Sequence, residues 1–320
     1  MTTTQTGTAT STTSAPSAAP SQTQIQQQAR SEAEQRRQDA EQQAQRTIDK
    51  EAAMAVEESR RAMQFIAEGK TADAMAAIER AAGMIDVLVA RNPDTALLPV
   101  DATAEIIDTA PADLDSIRDI ASAADAAMFV RDFPLTRLML GMLISEIRVR
   151  TFHLPLVAYP LAMREAARLL DQNQTDEARG VLQAAIDSLV VIDRIIPLPL
   201  VLARLAISTA ESARDQDREA ARRFLSLART ELDRAVELGY SANDDDYKAL
   251  SKTVSDLEKQ LRGNENVSSS FGELKEKFEN FMKRLTGGER SSKVQKKSKS
   301  DDKSKASEPQ PSTTATAQPS

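Results

Sequence analysis

An internal echo at a shift of 104 residues constrains this chain more than any other feature. The shift superposes Thr71, Ala74, Ile78, Ala81, Ile85, Leu88 and Pro93 on Thr175, Ala178, Leu182, Ala185, Leu189, Ile192 and Pro197. Upstream, Arg60, Ala62, Phe65 and Ile66 fall on Arg164, Ala166, Leu169 and Leu170. Apolar residues three and four apart share one helix face, so each copy predicts a helix, a tight polar turn and a second helix. Gly69 suits the C-terminal cap of the first helix, and Thr71 the N-cap of the next. The repeated unit is therefore an αα-hairpin.

A further shift of 43 carries Ala178, Leu182, Ala185 and Leu189 onto Ala221, Leu225, Ala228 and Leu232, a third unit that closes at Gly239-Tyr240. A fainter unit upstream takes Ile117 to Val130 as its first helix and Asp132-Phe133-Pro134 as its turn, and places Leu140 and Ile147 on its second helix. Together these predict an all-α fold, an array of about four αα-hairpins over 51–262, with an irregular, proline-punctuated link around Leu97 to Ala112. A spacing of 42 or 43 is not the roughly 34 residues of a tetratricopeptide repeat, so the likeness is one of kind only. Asn243-Asp244-Asp245-Asp246 offers an N-cap to a last helix, Tyr247 to Leu261, that covers the end of the stack. Glycine (10), tryptophan (0) and aromatic residues (3%) are scarce, a mixture that favours helix over strand.

Outside the array the composition changes. Residues 1–24 are Thr, Ser, Ala, Pro and Gln with few large apolar side chains, which predicts disorder. That segment has neither the basic nor the apolar region of a secretion signal, so the expected location is cytoplasmic. Residues 25–50 predict a polar helical arm whose stripe of Ala29, Ala33, Ala40, Ala44 and Ile48 buries little area; a solvated helix is favoured over a dimerising coiled coil. The tail, 263–320, is mostly disordered in this reading, with one amphipathic helix at 270–286 carrying Phe271, Leu274, Phe278, Phe281, Met282 and Leu285. Three roles stand open for it: docking on its own domain, filling a partner's groove, or lying on a membrane surface. The lysine-serine run Arg290 to Lys305 reads as a solvated tail.

The chemistry on offer is sparse. A net charge of -7 without a clustered basic face argues against nucleic acid as a partner. Without cysteine there is neither a disulfide framework nor thiolate chemistry, which suits the cytosol and export alike. No glycine-rich phosphate loop or metal-spaced cluster occurs, and the lone His153 cannot build a metal site or triad by itself. The expectation is no catalytic residue, no metal and no cofactor. The central stretch, Ser145 to Leu200, supplies the binding candidates Glu146, Arg148, His153 and Tyr159. On a helix Glu146 and Arg148, two apart, point to different faces, so they are expected to reach neighbouring hairpins rather than each other.

Gly69-Lys70-Thr71, Leu98-Pro99-Val100, Ser145-Glu146-Ile147-Arg148, Leu154-Pro155-Leu156, Tyr159-Pro160 and Ile196-Pro197-Leu198-Pro199-Leu200, in that order, resemble the bacterial YfdX family from about Ala53 to Tyr240. The resemblance implies an all-helical protein of a family associated with acid and drug stress, without enzymatic activity and with no catalytic residues to carry over. Many members of that family are periplasmic, and the segment 1–24 departs from them. The expected function is a non-enzymatic, stress-associated binding or scaffold protein that holds a protein partner or a small apolar ligand on its hairpin array. The alternative is a membrane-surface or assembly adaptor acting through 270–286; homo-oligomers fit either reading.

Overall fold

The computed structural model describes residues 22–241, 244–263 and 266–286; of the segment 1–24 expected to be disordered, 1–21 lie outside them while 22–24 open a helix, and the lysine-serine run at Arg290 to Lys305 lies outside them too. The described residues include four αα-hairpins closed by tight turns. They are α2 (Lys50–Ala67) with α3 (Thr71–Arg91), α4 (Leu114–Phe129) with α5 (Phe133–Gly141), α6 (Tyr159–Asp171) with α7 (Thr175–Asp187), and α8 (Leu198–Ala213) with α9 (Arg218–Glu237). Ahead of them runs α1 (Gln22–Gln45), and after them α10 (Asp245–Arg262) and α11 (Ser268–Thr286).

The 104-residue echo has a structural meaning. Ala74, Ile78, Ala81, Ile85 and Leu88 of α3 share one core with Tyr159, Met163 and Ala166 of α6 and with Ala178 and Leu182 of α7. The two related hairpins pack on each other, and alanines along both stripes let the helices come close. Gly69 and Asn173, equivalent under the shift, both take left-handed backbone, at φ 73° and 58°. Gly69 N–H donates to Ile66 O and Lys70 N–H to Phe65 O, as Asn173 does to Leu170 O and Gln174 to Leu169 O. This is the αL ending of a helix, reached once by glycine and once by asparagine. The capping role expected of Thr71 belongs to the chain before it: α3 starts from Lys70 and α7 from Gln174, neither with a side-chain cap.

Between the hairpins lies a feature that the helical reading did not anticipate, a three-stranded antiparallel sheet in the order β1 (Leu97–Asp108), β2 (Ser145–Pro155), β3 (Val190–Pro197). The proline-punctuated link is β1; Ile147 lies on β2 rather than on a helix; and Leu189 and Ile192, matched to Ile85 and Leu88, fall just before β3 and on it. The echo thus leaves register after Ala185. There Val190-Val191-Ile192 and Ile195-Ile196 are β-branched, and such residues favour the pleated backbone over another helical turn. Prolines sit where a ladder tolerates them: Pro155 and Pro197 end their strands, and Pro99 marks a bulge where the β1–β2 register slips between Pro99 and Asp101.

One face of the sheet presents Ala102, Ile147, Val149 and Ile196 to Ala33, Ala40 and Ala44 of α1 and to Leu198 and Val201 of α8. The alanine stripe of 25–50, expected on a solvated arm, is therefore buried. Small side chains bury little area but bring the helix axis close, and Arg37 reaches past them to donate 3.0 Å to Ala104 O on the β1 edge. Glu34 and Glu41, at 2.7 Å each, raise the basicity of that guanidinium further.

The remaining core joins α8 and α9 to α10 and α11. Phe271, Leu274, Phe278, Phe281 and Met282 are buried there, with Leu285 packed against them. Lys275 pairs with Glu211 at 2.7 Å, and Arg284 with Asp244 at 2.6 Å. Of the three roles open for the tail helix, the fold displays docking on its own domain. The α4/α5 hairpin behaves differently from the others: Phe129 is 89% exposed, Val130 70% and Leu138 60%.

Candidate functional site

Glu146 and Arg148 lie on β2, where residues two apart share a face. Instead of reaching separate hairpins they bond to each other: Arg148 donates from Nη2 at 2.6 Å and from Nε at 3.0 Å to Glu146 Oε1. The cause of the difference is the period of the backbone, 2 in a strand against 3.6 in a helix. Tyr240, held just beyond the left-handed Gly239 at the end of α9, donates its hydroxyl to Glu146 Oε2 at 3.0 Å and accepts Ser145 N–H at 2.8 Å. Burial pushes the Tyr240 hydroxyl far above its ordinary value. This network ties the end of the third recognised unit to the middle strand.

His153 and Tyr159 join neither that network nor each other. His153 sits on β2 opposite Pro99 and Val190. Tyr159, fully buried at the first turn of α6, has its pKa raised by desolvation, with Ser59 nearby opposing the shift. Its surroundings are the α2/α3 and α6/α7 core, which makes it a packing residue. Arg150 makes a two-pronged pair with Asp193 across β2 and β3, 2.9 and 3.0 Å, and that pairing holds the Asp193 carboxyl below its usual value.

Beside the Glu146 network lies a group of residues not singled out by sequence. Ser145 Oγ donates 2.8 Å to Asp108 Oδ1 at the end of β1. Arg234 of α9, only 5% exposed, donates from Nε to Pro111 O at 3.1 Å and from Nη2 to Ala110 O at 3.2 Å, with Asp108 at 3.5 Å. Its Nη1 is 3.5 Å from Glu231 Oε2, an oxygen that is buried and accepts no hydrogen bond. Burial raises the pKa of Glu231, Arg234 opposes the shift, and Asp108 adds to it.

These charges close one end of a cavity of about 340 Å³. Leu202, Leu205, Ala206 and Thr209 line it from α8; Phe224, Leu227, Glu231 and Arg234 from α9; Gln28 and Ala29 from α1; Asp108, Ala110 and Ala112 from β1 and the segment after it. Spacings of three, four and seven put each helical set on one face, so the walls follow from the same period that builds the hairpin. The size and the apolar lining with a few convergent polar groups are those of a small-molecule pocket. A sequence signal existed in Glu231 and Arg234, two charges three apart on the apolar side of α9, but nothing in the sequence marks the space between helices.

Among the described residues no group of His, Cys, Asp and Glu is placed to hold a metal ion, and no helix is long and apolar enough to cross a membrane. Fold and cavity together define a protein of helical hairpins built around a small antiparallel sheet. Residues 55–195 match the family model described as YfdX protein, the family that the chain's proline-bounded motifs resemble. Among solved structures, Salmonella Typhi YfdX is 15% identical, with 47% of this chain and 93% of that one covered at a TM-score of 0.32. No curated protein matches the chain. The matched span ends on β3, so the cavity walls from α8 and α9 lie outside it.

Proposed function

We propose that this protein is a non-enzymatic binding protein of the stress-associated kind that its family resemblance implies, acting in the cytoplasm and holding a small, largely apolar ligand between α1, α8 and α9. The observation that carries this reading is the 340 Å³ cavity with leucine and phenylalanine walls. A catalytic role gains no support from the paired groups: Glu146 is held by Arg148 and Tyr240, and Arg150 and Asp193 hold each other. The test is ligand retention by the full-length chain in native mass spectrometry after gentle purification, compared with Leu205→Trp, which fills the cavity. Retained mass that disappears in the variant supports the reading; retained mass equal in both, or none in either with no thermal shift from any apolar probe, overturns it. Acting as an adaptor through 270–286 would require α11 to leave the core that buries Phe271, Phe278 and Phe281.

A second reading, self-association, is favoured by β3. Its outer edge pairs with no strand among the described residues, and Val191, Ile192 and Ile195 on it are 48%, 46% and 42% exposed. An antiparallel second copy registered between Asp193 and Arg194 sets Asp193 against the copy's Arg194 and Ile192 against its Ile195, so the strand is complementary to itself. Sedimentation velocity of the wild type and Ile192→Lys decides it: a dimer lost in the variant supports the reading, while a monomer throughout or a dimer indifferent to the change removes it.

A further inference from the structure

We propose that the cavity between α1, α8 and α9 selects amphipathic amines, with the apolar body of the ligand against Leu202, Leu205, Phe224 and Leu227 and its ammonium group at Glu231. The inference rests on the reading of the cavity as a ligand site and adds the charge class of the ligand. Its basis is what the polar groups that α8 and α9 put into the wall have left to offer. Arg234 Nε and Nη2 are taken by the carbonyls of Pro111 and Ala110 and by Asp108, and Nη1 faces Glu231, so an anionic ligand would have to displace a carboxylate to reach the guanidinium. Thr209 Oγ1 donates to Leu205 O and has only lone pairs to present. Glu231 lines the cavity, and its Oε2, buried behind the wall, accepts no hydrogen bond.

An acceptor in that position calls for a donor, and the carboxyl groups of Asp108 and Glu231 share a single guanidinium between them. Burial raises the pKa of Glu231, and an ammonium ion at hydrogen-bond distance would act in the opposite direction, so the pairing is felt most by ligands that carry the charge. The rest of the cavity supplies area without further donors or acceptors at its leucines and Phe224, which suits an aryl or short alkyl body over a polyhydroxylated one.

Three probes with one skeleton, 4-phenylbutylamine, 4-phenylbutan-1-ol and 4-phenylbutyrate, separate charge from apolar burial when titrated calorimetrically into the full-length chain. The amine is expected to bind at least about tenfold tighter than the alcohol, with the acid weakest, since a hydrogen bond to a charged group is the stronger kind. In Glu231→Gln the preference for the amine should fall to within about threefold of the alcohol, while the alcohol keeps its affinity. Glu231→Asp, which keeps the charge but shortens its reach, should give an intermediate preference and stands in should Glu231→Gln fail to fold. An amine that binds no better than the alcohol, or a preference untouched by both substitutions, overturns the charge assignment while leaving the cavity as a ligand site. Absence of binding by all three probes, or binding that survives Leu205→Trp unchanged, overturns the ligand site itself.

Discussion

Around Ile78, Leu88 and Leu182 the α2/α3 and α6/α7 hairpins close on each other with alanines at many of the remaining contacts, whereas α8 and α9 leave open the space beside Leu205 and Leu227. Both regions are built from the same unit. In the first, two copies face each other and small side chains match small side chains. In the second, α8/α9 has no equivalent hairpin across from it and meets single helices, α1 on one side and α10 with α11 on the other. Phenylalanines at 271, 278 and 281 fill the α11 side, and the cavity lies on the α1 side. A duplicated unit closes tightly on its own copy; against unlike partners it leaves volume, and volume is where ligands fit.

The largest expected effect lies where an aromatic ring makes up for the missing hairpin. Phe278→Ala should cost about 4 kcal/mol in urea unfolding, because the ring is 2% exposed and its neighbours belong to three other helices. A much smaller loss would mean that α11 docks only loosely. The contrast itself is tested by one substitution made twice. Leu182→Ala, in the closed region, should cost about 3 kcal/mol, and Leu205→Ala, at the cavity wall, about 1 kcal/mol, since the second already borders empty space. Equal losses would show that the cavity collapses in solution.

A third prediction concerns the echo. Gly69→Ala should lower stability by about 1 kcal/mol through its positive φ alone, nothing lying within 4 Å of the added methyl, whereas Asn173→Gly at the equivalent position should change it by less than about 0.5 kcal/mol. The smallest effect is one of sign. The raised pKa of Glu231 means that its contribution is fully present below the ordinary carboxyl value and is lost as pH rises through the folded value. The melting temperature of Glu231→Gln relative to wild type should therefore climb between acid and neutral pH; a flat difference would show that Arg234 compensates the charge fully.

Much of this was legible in the sequence. The four hairpins, the left-handed turn at Gly69, the closing Gly239-Tyr240 and the last helix of the stack all follow from apolar spacing and turn residues, and the phenylalanines of α11 announced an apolar face while leaving open what covers it. The sheet was not legible, for a physical reason. Strands such as Glu146 to Val149 alternate charge and apolar side chain over only a few residues, and a helical echo running through Leu189 and Ile192 spoke for the other period. Once β2 is a strand, the pairing of Glu146 with Arg148 follows at once. Tyr240 was visible as a stop signal, but its bond to Glu146 joins residues 94 apart and has no trace in local pattern. Asp108, Glu231 and Arg234 were missed because a cavity is a property of four elements meeting.

The central position of β2 sets a timetable for the growing chain. By the time β1 is made, α1 already exists, so Arg37 is there to bond the edge of β1 and the alanine stripe to cover its face before any strand can pair with it. Pairing of β1 with β2 closes on the α4/α5 hairpin as soon as Pro155 has been made. The other edge of β2 then stands open until translation reaches Pro197, with α6 and α7 produced in between. At roughly 5–20 residues per second that interval lasts about 2 to 8 s. Through it the α6/α7 hairpin has α2/α3 ready to receive it, and its docking delivers β3 to the waiting edge.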